Sequence, residues 1–299
     1  MPRVSVIVPA WNAAAYIGEC LASALAQDHR DLEVLVVDDA SGDDTADRVA
    51  LEARRDSRIR LLRHPRNLGV SAARNTAIAA ASGDLIAFLD ADDRWLPGKI
   101  SRQLAALGAE PDAGLVFTAS RAIDARGAVI DPDLCRGKAI PVGRVDLRDF
   151  VIRRYPLITS SAMVRRPCLD AVGGFDTAIA VGEDFDLWAR ILNQFPQAYV
   201  PEPLTDYRMH GDGATANPLR NRLSKVRVLE KLRGDPAFDR LTRDPAFTRH
   251  QHRQYLGAAR LLAAEGRGAE ADALYRKALA LDIPWHARLA TRLRRLRHG

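Results

Sequence analysis

Residues Leu85–Asp93 read Leu-Ile-Ala-Phe-Leu-Asp-Ala-Asp-Asp, an apolar run that breaks at once into carboxylates. A run this short, bounded by Ser82-Gly83 before it and Asp-Asp-Arg after it, fits a central strand covered on both faces. In extended chain, side chains two apart share a face, so Asp90 and Asp92 are expected on one side and Asp93, as a structural residue, on the other. Two carboxylates on one side repel unless a positive group lies between them, and a divalent cation with oxygen ligands supplies one. The same residues also suit a solvated turn after a strand.

The rest of the first half repeats the theme. Val4–Val8 reads as a strand that stops at Pro9, which has no N–H to give to a ladder, and Asn12 is placed to cap a helix with Ile17, Leu21 and Leu25 on its buried stripe through about Gln27. Leu32–Val37 is a second strand, running into Asp38-Asp39-Ala-Ser-Gly-Asp-Asp-Thr45. A helix from about Asp43 to Arg54, a strand over Ile59–Leu62 and an Ala-rich helix over Gly69–Ala81 then lead back to Leu85. Strand–helix alternation of this kind predicts a Rossmann-like, mostly parallel sheet flanked by helices, with ligands at the carboxyl ends of the strands. The loops after Val8, Val37 and Leu89 should converge and bring Trp11, Asp39 and the Asp90/Asp92 pair to one crevice. Neither GxGxxG nor GxxxxGK[ST] occurs there, which argues against a dehydrogenase or a P-loop NTPase.

The second half changes character. Asp124–Gly127 reads as a hairpin turn, Leu134–Val145 as irregular loop, and Ser161–Val164 as a strand followed by a short helix from Pro167. Glu183 and Asp184 open a helix that runs to about Phe195 with Phe185, Leu187, Trp188, Ile191 and Leu192 in the core, and two acids there suit the helix dipole whatever else they do. Strands near Ala198–Val200 and Leu204–His210 follow. From Pro218 the pattern is helical, so the expected division is a domain over 1–217 and a helical extension over 218–299. Within the extension, Tyr255–Ala264 and Ala269–Leu281 resemble one tetratricopeptide-like unit, which cannot bury its own face and is read as a cap or a partner surface.

Composition sets the class: 47% hydrophobic and 27% charged residues in 299 indicate a soluble globular protein. Three scattered cysteines suggest neither a disulfide framework nor a zinc site and fit a reducing cytoplasm. The opening apolar stretch is too short for a signal peptide, and no run approaches the ~18 apolar residues of a membrane span. The net charge of +6 is uneven: after Asp282 there are no acids, while Arg288, Arg292, Arg294, Arg295 and Arg297 alternate with Leu289, Leu293 and Leu296 at helical spacing. That segment suits either a solvated helix or peripheral contact with an anionic membrane surface. No nucleic acid is expected, because no basic, aromatic-bearing recognition module is visible.

Taken together, several stretches resemble the family 2 glycosyltransferases, inverting enzymes with the GT-A fold: Val-Ser-Val-Ile-Val-Pro-Ala-Trp-Asn12, Val-Val-Asp-Asp-Ala-Ser41, Asn67-Leu-Gly-Val-Ser-Ala-Ala-Arg-Asn75, Phe-Leu-Asp-Ala-Asp-Asp93, Gly-Gly-Phe-Asp176, Glu183-Asp184 and Tyr207-Arg-Met-His210. The resemblance covers about Val4 to Thr215. It implies a nucleotide-diphosphate-sugar donor, a UDP-sugar by default with guanosine and thymidine open, and Mg2+ or Mn2+ at the diphosphate. Asp90-Ala91-Asp92 matches the family's DxD motif, with Asp92 as leading metal ligand, Asp90 as its assistant near ribose or metal, and His210 touching metal or diphosphate. Pro9, Trp11, Asn12 and Asp39 correspond to the nucleoside end, where a ring can stack on the base and a carboxylate can accept its N–H. Arg74 is expected to make a charge-assisted contact to phosphate or base. Asp184 matches the base that takes the acceptor hydroxyl proton, and Glu183 is expected to contact the acceptor or orient the loop.

The implied enzyme is cytoplasmic, with peripheral contact at the inner membrane face left open, and transfers sugar to a glycan or lipid-linked acceptor in cell-surface polysaccharide synthesis, with acceptor contacts in Arg136–Tyr155 and after Asp184. Two rivals stand beside it. A sugar nucleotidyltransferase should carry a Gly-rich basic loop after the first strand, where this chain has Pro-Ala-Trp-Asn-Ala. A non-catalytic nucleotide-sugar-binding or scaffold protein would not need both Asp92 and Asp184.

Overall fold

The computed structural model describes residues 2–137, 140, 147–153, 157–211, 217–284, 286–289 and 291. It divides into two compact units, Met1–Asp146 with Tyr155–Gly211 and Leu147–Arg154 with Asp212–Gly299, so a short stretch from within 1–217 groups with the helical residues.

In the first unit β1 (Val4–Ala10), α1 (Ile17–Leu25), β2 (Leu32–Asp38), α2 (Thr45–Arg55), β3 (Ile59–Arg63), α3 (Val70–Ala80) and β4 (Leu85–Phe88) form successive β–α units. Their strands lie in the order β3-β2-β1-β4, all parallel. Next come β5 (Arg94–Trp95), α4 (Lys99–Ala109), β6 (Leu115–Ile123) and β7 (Val129–Asp131); α5 (Leu147–Arg153) belongs to the second unit. The first unit closes with β8 (Ala162–Arg165), α6 (Arg166–Val172), α7 (Glu183–Gln194) and β9 (Gln197–Arg208). The sheet continues β4-β8-β6-β9-β5 with β7 beside β6. Strands β8, β5 and β7 pair antiparallel, whereas β6 and β9 make a long parallel ladder. This is the α/β architecture, with a mostly parallel sheet, that the alternation predicts.

Burial explains the strand composition. Every residue of β2 is buried, and so is every residue of β4, so apolar β-branched side chains fill both faces. Glu33 and the terminal Asp38 of β2 are exceptions, and Glu33 is fully served: Ser5 Oγ, Ser82 N and Ser82 Oγ each donate to it at 2.7 Å, and Arg60 at 3.2 Å. Burial opposes its ionisation, but these donors outweigh it and hold the carboxyl at about 2.

Four local expectations are corrected. Strand β1 does not stop at Pro9 but runs to Ala10, with Pro9 beside Val37; the ladder to β4 has already ended at Ile7–Phe88, so the missing N–H faces no lost neighbour there. Asn12 does not cap α1, which begins after Tyr16; it lies in the loop at φ 51 and its Oδ1 accepts from Gly42 N. The extended-chain placement of Asp90, Asp92 and Asp93 fails because β4 ends at Phe88 and Asp93 N donates to Asp90 O at 3.0 Å, closing a turn. The two strands expected after α7 are one strand, β9, whose register against β6 shifts around Ala119, where Pro201 and Pro203 interrupt the ladder.

The second unit holds α5, α8 (Pro218–Gly234), α9 (Asp239–Thr242), α10 (Pro245–Ala264) and α11 (Gly268–Ala280). Asn217 and Asp244 cap α8 and α10, each followed by Pro in the first turn. The α10–α11 hairpin is not left alone: Leu219 and Val226 of α8 join Tyr255, Leu256, Ala259, Leu262, Leu274 and Tyr275 in one core. Of the basic closing segment, Arg292, Leu293, Arg294, Arg295, Leu296 and Arg297 lie outside the described residues, so the membrane-surface reading rests on the sequence. No described helix is long and apolar enough to cross a membrane.

Candidate active site

The turn after β4 is fastened from beneath. Asp90 N donates to Ser160 Oγ at 3.0 Å, Cys20 Sγ approaches Asp90 O at 3.6 Å, and Ala91 is buried. Asp92 Oδ2 lies 2.9 Å from His210 Nε2, which follows β9 and stacks near the Tyr16 ring at 5.3 Å. Burial and the charge of Asp90 push the Asp92 carboxyl up, against the hydrogen bond from His210. Asp93 is fully enclosed, and burial followed by the charges of Asp92 and Asp90 pushes it up further.

Arg74 of α3 joins this turn to the start of α7. It is 3% exposed, its Nη2 donates to Asp90 Oδ1 at 2.7 Å, and its Nη1 donates to Glu183 Oε1 at 2.6 Å. Burial works against the guanidinium charge, and the charges of Asp90 and Glu183 outweigh it, holding Arg74 above its ordinary value. The guanidinium rests 5.0 Å over the Phe175 ring, which meets Phe88 and Trp188 edge-on. Asn75, the next residue on α3, clamps Phe175 by both backbone groups at 2.8 Å. The structure thus gives both terminal nitrogens of Arg74 a carboxylate, where the sequence suggests phosphate or base.

Helix α7 begins directly after Gly182, whose φ of 81 turns the chain into it. Glu183 faces inward to Arg74; burial and the charge of Asp184 push its carboxyl up, with Arg74 opposing. Asp184 is half-buried, accepts Thr159 Oγ1 at 2.9 Å through Oδ2 and takes Phe185 N at 2.7 Å through Oδ1. Of the two acids, Asp184 is therefore the one left accessible to an acceptor.

At the carboxyl end of β1 Trp11 stands 59% exposed, with Pro9 half-buried within the strand. Asn12 N donates to Ser41 Oγ at 3.0 Å, tying the β1 and β2 loops together. Asp39 is buried and already engaged: Oδ1 accepts Leu68 N at 2.9 Å and lies 2.7 Å from His64 Nδ1, and Oδ2 accepts Gly69 N at 2.8 Å. It fastens the end of β2 to the start of α3, so any base contact it makes is shared with that duty.

Among the described residues no three His, Cys, Asp or Glu side chains gather into a set that could hold a metal unaided. A hard divalent ion that keeps waters and shares a diphosphate needs only one or two protein ligands, and the carboxylate–imidazole pair of Asp92 and His210 fits such an ion. Asp90 is directed to Arg74 instead. Sequence reasoning gave no role to Thr159, Ser160, Asn75 or Arg208; the polar run Thr159-Ser160-Ser161 directly before an apolar strand is the signal that marks the first two.

The model of the Glycosyl transferase family 2 matches residues 5–135. Protein MT1568 of Mycobacterium tuberculosis is 30% identical over 267 residues, 82% of this chain and 80% of its own length. The Escherichia coli UDP-Glc:alpha-D-GlcNAc-diphosphoundecaprenol beta-1,3-glucosyltransferase WfaP is 28% identical over 239 residues, 78% of this chain and 87% of its length. Other relatives are far longer, and the chain spans 35% of a Rickettsia felis glycosyltransferase and 16% of the O-antigen biosynthesis protein RfbC of Myxococcus xanthus. The mannosyltransferase PcManGT of Pyrobaculum calidifontis, solved with GDP-Man and Mn2+, superposes with a TM-score of 0.63 at 23% identity, covering 99% of this chain and 87% of that one, and shares the fold.

Proposed function

Since the chain belongs to glycosyl transferase family 2 and has the GT-A fold, we propose that it is a metal-assisted inverting glycosyltransferase that moves a sugar from a nucleotide-diphosphate donor to a hydroxyl of a glycan or lipid-linked acceptor. The observation that carries this reading is the Arg74 bridge, at 2.7 Å to Asp90 and 2.6 Å to Glu183, which supports one continuous crevice from the acidic turn to the start of α7. An acid pair at one end and an accessible carboxylate at the other are what single displacement at an anomeric carbon requires.

In this reading Trp11 stacks on the base, while Pro9, Asn12 and Asp39 shape the nucleoside end. Asp92 and His210 would hold Mg2+ or Mn2+, with Asp90 as its neighbour; the ion supplies charge neutralisation at the diphosphate. Arg74 serves the donor through Asp90. Asp184, oriented by Thr159, takes the acceptor hydroxyl proton as the acceptor oxygen bonds to the anomeric carbon and the bond to diphosphate breaks on the opposite face. Glu183 serves the acceptor side through its grip on Arg74. UDP is the default nucleotide, and relatives named for O-antigen and diphosphoundecaprenol-linked synthesis favour a cell-surface polysaccharide assembled at the inner face of the membrane.

The test is calorimetric binding of UDP-, GDP- and dTDP-sugars with and without Mn2+ or Mg2+. Asp92→Ala should lose the cation-dependent part of binding, while Asp184→Asn should bind donor as the wild type does and transfer sugar far more slowly. Cation-independent binding that Asp92→Ala leaves untouched sinks the donor-site reading.

A further inference from the structure

Asp93 and Arg208 are buried, charged and close to the acidic turn, yet neither is placed to touch a ligand: Asp93 is 1% exposed and Arg208 3%. Their hydrogen bonds enclose the candidate metal ligands from behind. Asp93 Oδ1 accepts Arg208 N at 2.8 Å, and Asp93 Oδ2 accepts Ser160 Oγ at 2.5 Å. The same Ser160 hydroxyl accepts Asp90 N, so one carboxylate fixes both the start of the turn and the end of β9.

Arg208 then closes the ring from the other side. Its Nε donates to Asp92 O at 2.7 Å, its Nη1 to Asp124 O at 3.3 Å and Ala125 O at 3.2 Å, and its Nη2 to Glu19 Oε2 at 2.8 Å. Its guanidinium lies 4.7 Å over the Tyr16 ring, whose centroid is also 5.3 Å from that of the tilted His210 ring. Asp92 and His210 come from segments 118 residues apart in sequence; Met209 N donates to Ile123 O, and His210 lies just past the end of β9, 2.9 Å from Asp92.

We propose that Asp93 and Arg208 are positioning residues: a buried bracket that holds Asp92 and His210 at the spacing a divalent cation requires, so that cation affinity depends on two side chains that never touch the ion. This rests on the metal-assisted reading above. Partners in such an outer shell typically change metal affinity by about 10–100-fold when removed. Arg208→Lys keeps the charge and the backbone bond to Asp93 but cannot span Asp92 O, the hairpin carbonyls and Glu19 at once. Asp93→Asn keeps an acceptor for Arg208 N but offers Ser160 no carboxylate.

The experiment measures Mn2+ binding by electron paramagnetic resonance in the presence of UDP and, separately, of GDP, together with metal-free binding of each nucleotide and thermal unfolding. Wild type, Asp92→Ala, Asp93→Asn, Arg208→Lys and Ser160→Ala are compared. The bracket predicts that Arg208→Lys and Asp93→Asn each weaken Mn2+ binding about tenfold or more, with metal-free nucleotide binding within about twofold of wild type. If Asp92→Ala abolishes Mn2+ binding while Arg208→Lys and Asp93→Asn, folded, bind it within about twofold of wild type, the bracket is wrong and the site reading stands. If wild type binds no Mn2+ with either nucleotide, or Asp92→Ala binds it normally, the site reading itself falls and takes the bracket with it. A variant whose metal-free nucleotide binding falls in step with its Mn2+ binding has lost the fold of the crevice, which also counts against a role specific to the cation.

Discussion

Removing Arg74 breaks the link between the acidic turn and the start of α7. Arg74→Met keeps much of the volume over Phe175 but strips two carboxylates of their partner. Glu183 is the costlier one: its side chain is 10% exposed, against 28% for Asp90, so water cannot replace the lost guanidinium there. Breaking a buried ion pair from one side costs about 3–5 kcal/mol, and the more exposed Asp90 adds less than a second such term. Arg74→Met should therefore destabilise the first unit by about 3–5 kcal/mol. Neutralising the stranded acid in Arg74→Met/Glu183→Gln should recover on the order of 2 kcal/mol, the scale of coupling between side chains in direct contact. Urea unfolding of wild type, both single variants and the double variant closes the cycle. Coupling below about 0.5 kcal/mol, the scatter expected of independent sites, would refute a buried bridge between α3 and α7.

Glu33 links stability to acid. Its carboxyl titrates near 4.5 unfolded and at about 2 folded, so its contribution is complete above pH 4.5 and disappears as pH falls toward 2. That contribution is on the order of 3 kcal/mol, and urea midpoints for Glu33→Gln should fall less steeply over this window than those of wild type. Gly174→Ala would place a Cβ 2.4 Å from Asn75 Oδ1, inside the clamp on Phe175. It should cost about 1–3 kcal/mol in thermal or urea unfolding. The cost should shrink in an Asn75→Ala background, where the obstructing oxygen is gone.

What the sequence made legible is what short-range pattern controls. Apolar runs announced β2 and β4, because a strand buried on both faces is apolar along nearly its whole length. The acids at the strand ends were legible for the same reason. What escaped was whatever depends on partners distant in the chain. Arg74 reads as a contact to phosphate or base, and its carboxylate partner Glu183, 109 residues on, shows only when the two are folded together. Asp93 was assigned to the far side of a strand on the period-two rule, but the strand had already ended, and its burial comes from Ser160 and Arg208. Asn12 reads as a helix cap because Asx side chains favour caps, and here Gly42 of the next loop supplies the competing donor.

The proposed mechanism is single displacement with Asp184 as base. It is tested most directly by proton NMR of the product formed from an α-linked nucleotide-sugar, with lipid-linked and free glycan acceptors, by wild type and Asp184→Asn. A β-linked product is expected from wild type and a rate for Asp184→Asn lower by roughly 10^2- to 10^4-fold, the usual worth of a positioned general base, with donor affinity unchanged. An α-linked product, or near-normal transfer by Asp184→Asn, would contradict it.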